Sequence, residues 1–106
     1  MYKAEEYTYR VFWSEEDNCF ITTVAEWPRL SSVEDTQQAS FSGMVELVRF
    51  LIAEMTKNGE EPPRPISKRR FSGHISLRMP KEQHLRVAIE AAEQGVSLNQ
   101  LLISRI

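Results

Sequence analysis

Cysteine is nearly absent from the chain. Cys19 stands alone, so no internal disulfide and no cysteine-rich metal site can form. No apolar run approaches the roughly 18 residues that a membrane helix needs. The opening residues, MYKAEEYTYR, lack the apolar core of a signal peptide. There is no internal repeat and no low-complexity tract. The cytoplasm is therefore the expected compartment, with no membrane partner and no cofactor. What is present is the make-up of a soluble globular protein, 42% apolar and 26% charged. At 106 residues the chain is one ordinary domain or two very small ones.

The net charge of −2 hides a division. Residues 1–65 carry six Lys/Arg against twelve Asp/Glu, or −6, and residues 66–106 carry seven against three, or +4. A basic segment of this kind suits a polyanion, although a solvated basic face gives the same count.

The change of sign falls near NGEEPPRPISKRR, where three prolines and a glycine precede a basic run. This stretch continues neither a helix nor a strand, and it reads as a stiff linker over 59–71. Before it, in 1–58, YTYRVFW (7–13) and CFITTVA (19–25) are rich in aromatic and β-branched residues and flank the turn-forming SEEDN. That pattern is a hairpin, and a third strand is expected at RLSSV after Trp27-Pro28. A helix follows, with Asp35 as its expected N-cap and Gln38 completing a capping box. Phe41, Met44, Val45, Val48, Leu51, Ile52 and Met55 keep the spacing of one buried stripe, and Asn58-Gly59 ends it. The expected class is α+β: a small three-stranded antiparallel sheet with one long helix.

After the linker, in 72–106, residues 72–79 alternate as a strand, with His74, Ser76 and Arg78 on one face and Ile75, Leu77 and Met79 on the other. A helix is expected from Pro80, at its first position, to Gln94, with Leu85, Ala88, Ile89 and Ala92 as core. Ser97 caps a second helix whose core is Leu98, Leu101, Leu102 and Ile106. One strand and two helices in about 35 residues cannot bury a stable core alone. A twofold dimer supplies the missing strand, and the resulting two-stranded ribbon fits the major groove of DNA.

GHISLRMPKEQHLRVAIEAAEQGVSLNQLLISRI resembles the ribbon–helix–helix domain of the Arc/MetJ type. The shared features are alternation closing in Arg-Met-Pro, a helix ending near Gly, and GVSLNQLL opening the next. The first half resembles the small, partly RNase H-like domain of HicB antitoxins, with its paired strands, long amphipathic helix and NGEEPPRP tail. SEEDN and EWPRLSS stand where that family often has a glycine-rich turn and a Pro-x-x-Gly-Cys stretch. The resemblance implies an antitoxin that masks a small, basic HicA-type mRNA-cleaving toxin. It also implies a homodimer or homotetramer that represses its own operon on operator DNA. The alternative is an orphan regulator whose first domain senses a ligand or oligomerises.

On this reading Arg78 gives paired hydrogen bonds to guanine, Ser76 bonds either kind of base, and His74 takes its place from the family position. Ser97 and Asn99 open the second helix near a phosphate, and Asn99 alternatively meets the first helix. Lys68, Arg69 and Arg70 attract the DNA backbone or simply solubilise the linker. Glu5, Glu6, Glu15, Glu16, Asp17, Glu34 and Asp35 invite a two-metal nuclease hypothesis. They fall at turns, strand ends and a helix start, where solvation and capping account for them. No catalytic residue and no metal ligand is assigned, and the chain is expected not to be an enzyme. Cys19 is expected to be a buried, inert thiol, and His84 a surface residue.

Overall fold

The aromatic and β-branched runs form the hairpin: β1 (Tyr9–Ser14) pairs antiparallel with β2 (Cys19–Val24) through an in-register ladder from Tyr9↔Val24 to Ser14↔Cys19. Asn18 closes the turn at φ 52°, a left-handed conformation that asparagine tolerates. The third strand, β3 (Trp27–Glu34), includes Trp27 and Pro28, so it starts two residues earlier than expected. It pairs antiparallel with β2 in the order β1-β2-β3, and as an edge strand it can hold a proline that lacks a donor. These coordinates come from a computed structural model that describes residues 1–106 as two units, Met1–Phe71 and Ser72–Ile106.

Helix α1 (Gln37–Lys57) crosses one face of the sheet. Its N-cap is Thr36 rather than Asp35: the Thr36 hydroxyl accepts from the Ala39 amide at 3.1 Å. The helix begins one residue later than expected, so the Asp35–Gln38 box does not form. Its buried row is Ser40, Met44, Val48 and Ile52, while Phe41 is 42% exposed. Ser40 is tolerated there because its hydroxyl lies 2.7 Å from that of Thr22 and donates to the Ser32 carbonyl at 2.9 Å. Unpartnered, such a group would cost about 1–3 kcal/mol. A Cβ on Gly43 would come within 2.8 Å of Ser32 Oγ, so glycine lets α1 lie close on β3. Ala4, Tyr7 and Val24 complete the core, and Tyr7 stacks on Trp27 at 4.8 Å between ring centres.

The stretch read as a linker is fastened to this first unit. The Tyr7 hydroxyl donates to the Pro63 carbonyl at 2.7 Å, and the Ile66 amide donates to the Glu26 carboxylate at 2.9 Å. The Ser67 hydroxyl donates to the Glu6 carbonyl at 3.3 Å, Pro65 is fully buried, and Ile66–Lys68 makes one 3-10 turn. Three prolines lower the entropy lost on ordering and leave few amides to satisfy. With this strap included, the first unit holds nine Lys/Arg against twelve Asp/Glu, or −3, and the second holds four against three, or +1. The contrast of charge is smaller than the sequence division suggested.

In the second unit, α2 (Lys81–Gln94) starts one residue after the expected position. Pro80 is its cap, and the Pro80 carbonyl accepts from the His84 amide at 3.0 Å. Gly95, at φ 70°, ends the helix in the left-handed region. Ser97 caps α3 (Leu98–Ser104) with a reciprocal box: Ser97 Oγ accepts from Gln100 N at 3.0 Å, and Ser97 N donates to Gln100 Oε1 at 2.8 Å. An Arg105–Glu90 ion pair ties the end of α3 to α2.

Two expectations fail in the single chain. Residues 72–79 form no strand, and Gly73 turns the backbone to φ 82°. A strand is defined by its ladder, and one chain offers 72–79 no partner. The expected core of α2 is also uncovered: Leu85 is 62% and Ile89 49% exposed, with Ala88 and Ala92 open as well. Ala91 and Leu101 are the residues this unit buries.

A candidate nucleic-acid interface

Residues 74–79, though not a strand, and the start of α3 bring part of the expected interface together. His74, Arg78 and Asn99 line one open cleft of about 670 Å3 with Ile75, Leu77, Met79, His84 and Leu98. Ser76 is exposed but does not line it. Ser97 spends its hydroxyl oxygen on the Gln100 amide and so acts first as a cap. Much of its lining is apolar and includes Leu98 and Leu102 of α3 with Ile75 and Leu77, which are 82% and 66% exposed.

Lys68, Arg69 and Arg70 belong to the other unit. Lys68 Nζ pairs with Glu6 at 2.6 Å, and Arg69 donates through Nε and Nη2 to the Arg64 carbonyl at 3.0 and 2.9 Å. Lys68 therefore ties the strap to the rest of the first unit, and Arg69 braces the strap on itself. Arg70 is exposed.

Reading the sequence missed Glu26. Its side chain is 9% exposed and accepts from Thr8 N at 3.0 Å, Thr8 Oγ1 at 3.1 Å and Ile66 N at 2.9 Å. Burial opposes its ionisation, but the backbone amides of Ile66 and Thr8 outweigh burial and hold the carboxyl below the usual glutamate range. The only trace in the sequence is an acid at a tight turn before Trp27-Pro28, where a solvated side chain is the ordinary reading. Tyr7 and Tyr9 lie nearby. Burial, and then the charge of Glu26, pushes both phenols up to about 12, so the hydroxyl that holds Pro63 remains a donor.

Four of the other acids have side-chain partners that account for them. Glu5 pairs with Arg49 at 2.6 Å, Glu6 accepts from the Lys3 amide at 2.8 Å, Glu15 accepts from Trp13 Nε1, and Asp17 bonds Ser14. Cys19 is buried, and burial followed by Asp17 and Asp35 raises its thiol above the usual cysteine value. That keeps it protonated and unreactive.

A three-stranded antiparallel sheet crossed by one long helix, followed by a helix pair with an open apolar face, makes this an α+β chain of two units. The model of the HicB family matches residues 51–106, just over half of the chain, and the chain belongs to that family. The match covers the end of α1, the strap and the whole second unit. Family membership supports a place in a toxin–antitoxin pair and implies a HicA-type toxin as partner. No curated protein and no solved structure matches the chain. No helix is long and apolar enough to cross a membrane.

Proposed function

We propose that the chain is an antitoxin whose first unit masks a HicA-type, mRNA-cleaving toxin and whose second unit binds operator DNA as a ribbon–helix–helix dimer. The observation that carries this reading is the imbalance of the second unit. It buries Ala91 and Leu101 but leaves Ile75, Leu77, Leu85, Ile89 and Ile103 largely exposed. Two copies of 74–79 paired antiparallel cover Ile75, Leu77 and Met79 and give the segment its missing ladder. His74, Ser76 and Arg78 then stand twice on the outer face, where Arg78 meets guanine edges and His74 and Ser76 flank it. Asn99 and the capped end of α3 lie beside the DNA backbone, and Arg70 adds sequence-independent attraction. The protein carries out no catalysis of its own and requires no cofactor.

The test is electrophoretic mobility of the full chain on DNA from upstream of its own reading frame, with toxin co-expression in parallel. Specific retardation of that DNA and rescue of growth are the expected results. Rescue without specific retardation would remove the repressor role, and retardation without a toxin gene alongside would favour the orphan regulator.

A further inference from the structure

We infer that β1 is a self-pairing edge: two copies of the chain join antiparallel along Tyr9–Ser14 into one continuous six-stranded sheet. This surface is separate from the second unit and does not depend on DNA binding.

The inference starts from which backbone groups are spent. The Ala25 amide donates to the Thr8 carbonyl at 2.9 Å, which makes Thr8 and Ala25 a hydrogen-bonded pair. Opposed residues of an antiparallel ladder alternate between bonded and non-bonded pairs. The unbroken register then assigns Arg10↔Thr23, Phe12↔Ile21 and Ser14↔Cys19 as bonded. The close, tilted contact of Trp13 with Phe20, 5.0 Å between ring centres, fits the non-bonded pairs between them. Tyr9, Val11 and Trp13 consequently turn their N–H and C=O groups outward, and β1 ends the sheet.

Natural edge strands are usually blunted by proline, lysine or a bulge. β3, the other edge, carries Pro28 and lies beside the register shift at Thr23/Val24. β1 has no proline, lysine or bulge: YRVFWS is regular and rich in aromatic and β-branched residues, and its one charge, Arg10, lies over the ring of Phe12. Helix α1 packs chiefly on β2 and β3, which leaves Trp13 45% exposed above the open edge.

The occupant that fits is a second copy. Outward-facing residues must oppose outward-facing residues, which limits the allowed registers. One of them sets Val11 against Val11 on the twofold axis, Tyr9 against the second copy's Trp13, and Arg10 against its Phe12. It satisfies Tyr9, Val11 and Trp13 of both copies with about six backbone bonds. It also sets each guanidinium over an aromatic ring, the contact Arg10 already makes with its own Phe12 at 5.0 Å. The neighbouring register on one side opposes Arg10 to Arg10, a like-charge pair. The one on the other side leaves Tyr9 unpaired.

The test is amide hydrogen exchange of the full chain at low and high concentration, with the Val11→Pro variant beside it. Val11→Pro removes an outward donor and no bond to β2, so the hairpin keeps its ladder. Arg10, Phe12 and Ser14 are expected to be protected at every concentration, and Tyr9, Val11 and Trp13 to gain protection as concentration rises. Val11→Pro should halve the mass of the assembly while Arg10, Phe12 and Ser14 stay protected. Three results would overturn the inference: odd-numbered amides that exchange freely at all concentrations, an unchanged mass for Val11→Pro, or protection that develops only when a toxin is added. The last would assign the edge to a strand of the toxin.

Discussion

Glu26 joins three parts of the first unit that the sequence keeps apart: the start of β1, the β2–β3 turn and the strap. Its carboxyl is held below the usual glutamate range, so it stabilises the fold above the unfolded value of about 4.3, and that contribution is lost as pH falls through the lower folded value. In an acid titration followed by NMR, the Thr8 and Ile66 amides should shift together with one midpoint below 4.3. Independent midpoints would show that no shared carboxylate holds them. Glu26→Ala removes the acceptor shared by the Thr8 amide, the Thr8 hydroxyl and the Ile66 amide and should cost about 1–2 kcal/mol of unfolding free energy in urea. Arg78→Ala and Arg70→Ala separate base reading from charge. The first should cost about 1–3 kcal/mol on operator DNA and relax one base position. The second should weaken all DNA alike and flatten the salt dependence. Sequence-independent losses for both variants would deny Arg78 a base contact. The residues proposed for the interface were picked out by their alternation in the sequence. Glu26 was not, because its burial depends on Ile66, forty residues along the chain.

Strands and helices were legible wherever one chain completes them. The hairpin follows from its β-branched runs, and α1, α2 and α3 from their spacing and their glycine or serine ends. The misses lie at termini, where one residue decides which hydroxyl reaches an amide. Thr36 and Asp35 compete for the α1 cap, and Thr36 wins with its bond to Ala39. Thr36→Ala should therefore cost about 1 kcal/mol in thermal unfolding and Asp35→Ala distinctly less. The reverse order would restore Asp35 as the cap. Residues 72–79 alternate like a strand but form none in the single chain, and on the proposed reading their partner is the same segment of a second copy. Leu77→Pro removes an apolar contact from the proposed ribbon and introduces a residue that ladders exclude. Light scattering should show the variant at half the wild-type mass, and an unchanged mass would place the association elsewhere.

Across the whole chain, the strap redraws the division of labour. Lys68, with the bonds of Pro63, Ile66 and Ser67 to Tyr7, Glu26 and Glu6, fastens the strap to the sheet unit, so only a few residues around Phe71 remain to separate the two units. The functions should still separate, because the apolar surface of each unit is its own. A full chain carrying Arg78→Ala should neutralise the toxin and fail to repress. Loss of both together would make the units act as one. The central claim is that the second unit reads operator DNA through a ribbon shared by two copies. Its most direct test is equilibrium binding of the full chain and of Leu77→Pro to upstream DNA and to the same bases shuffled. The full chain should bind cooperatively and prefer the upstream DNA by about a thousandfold, and Leu77→Pro should lose that preference. Equal affinity of the full chain for both DNAs, or a preference that Leu77→Pro retains, would contradict it.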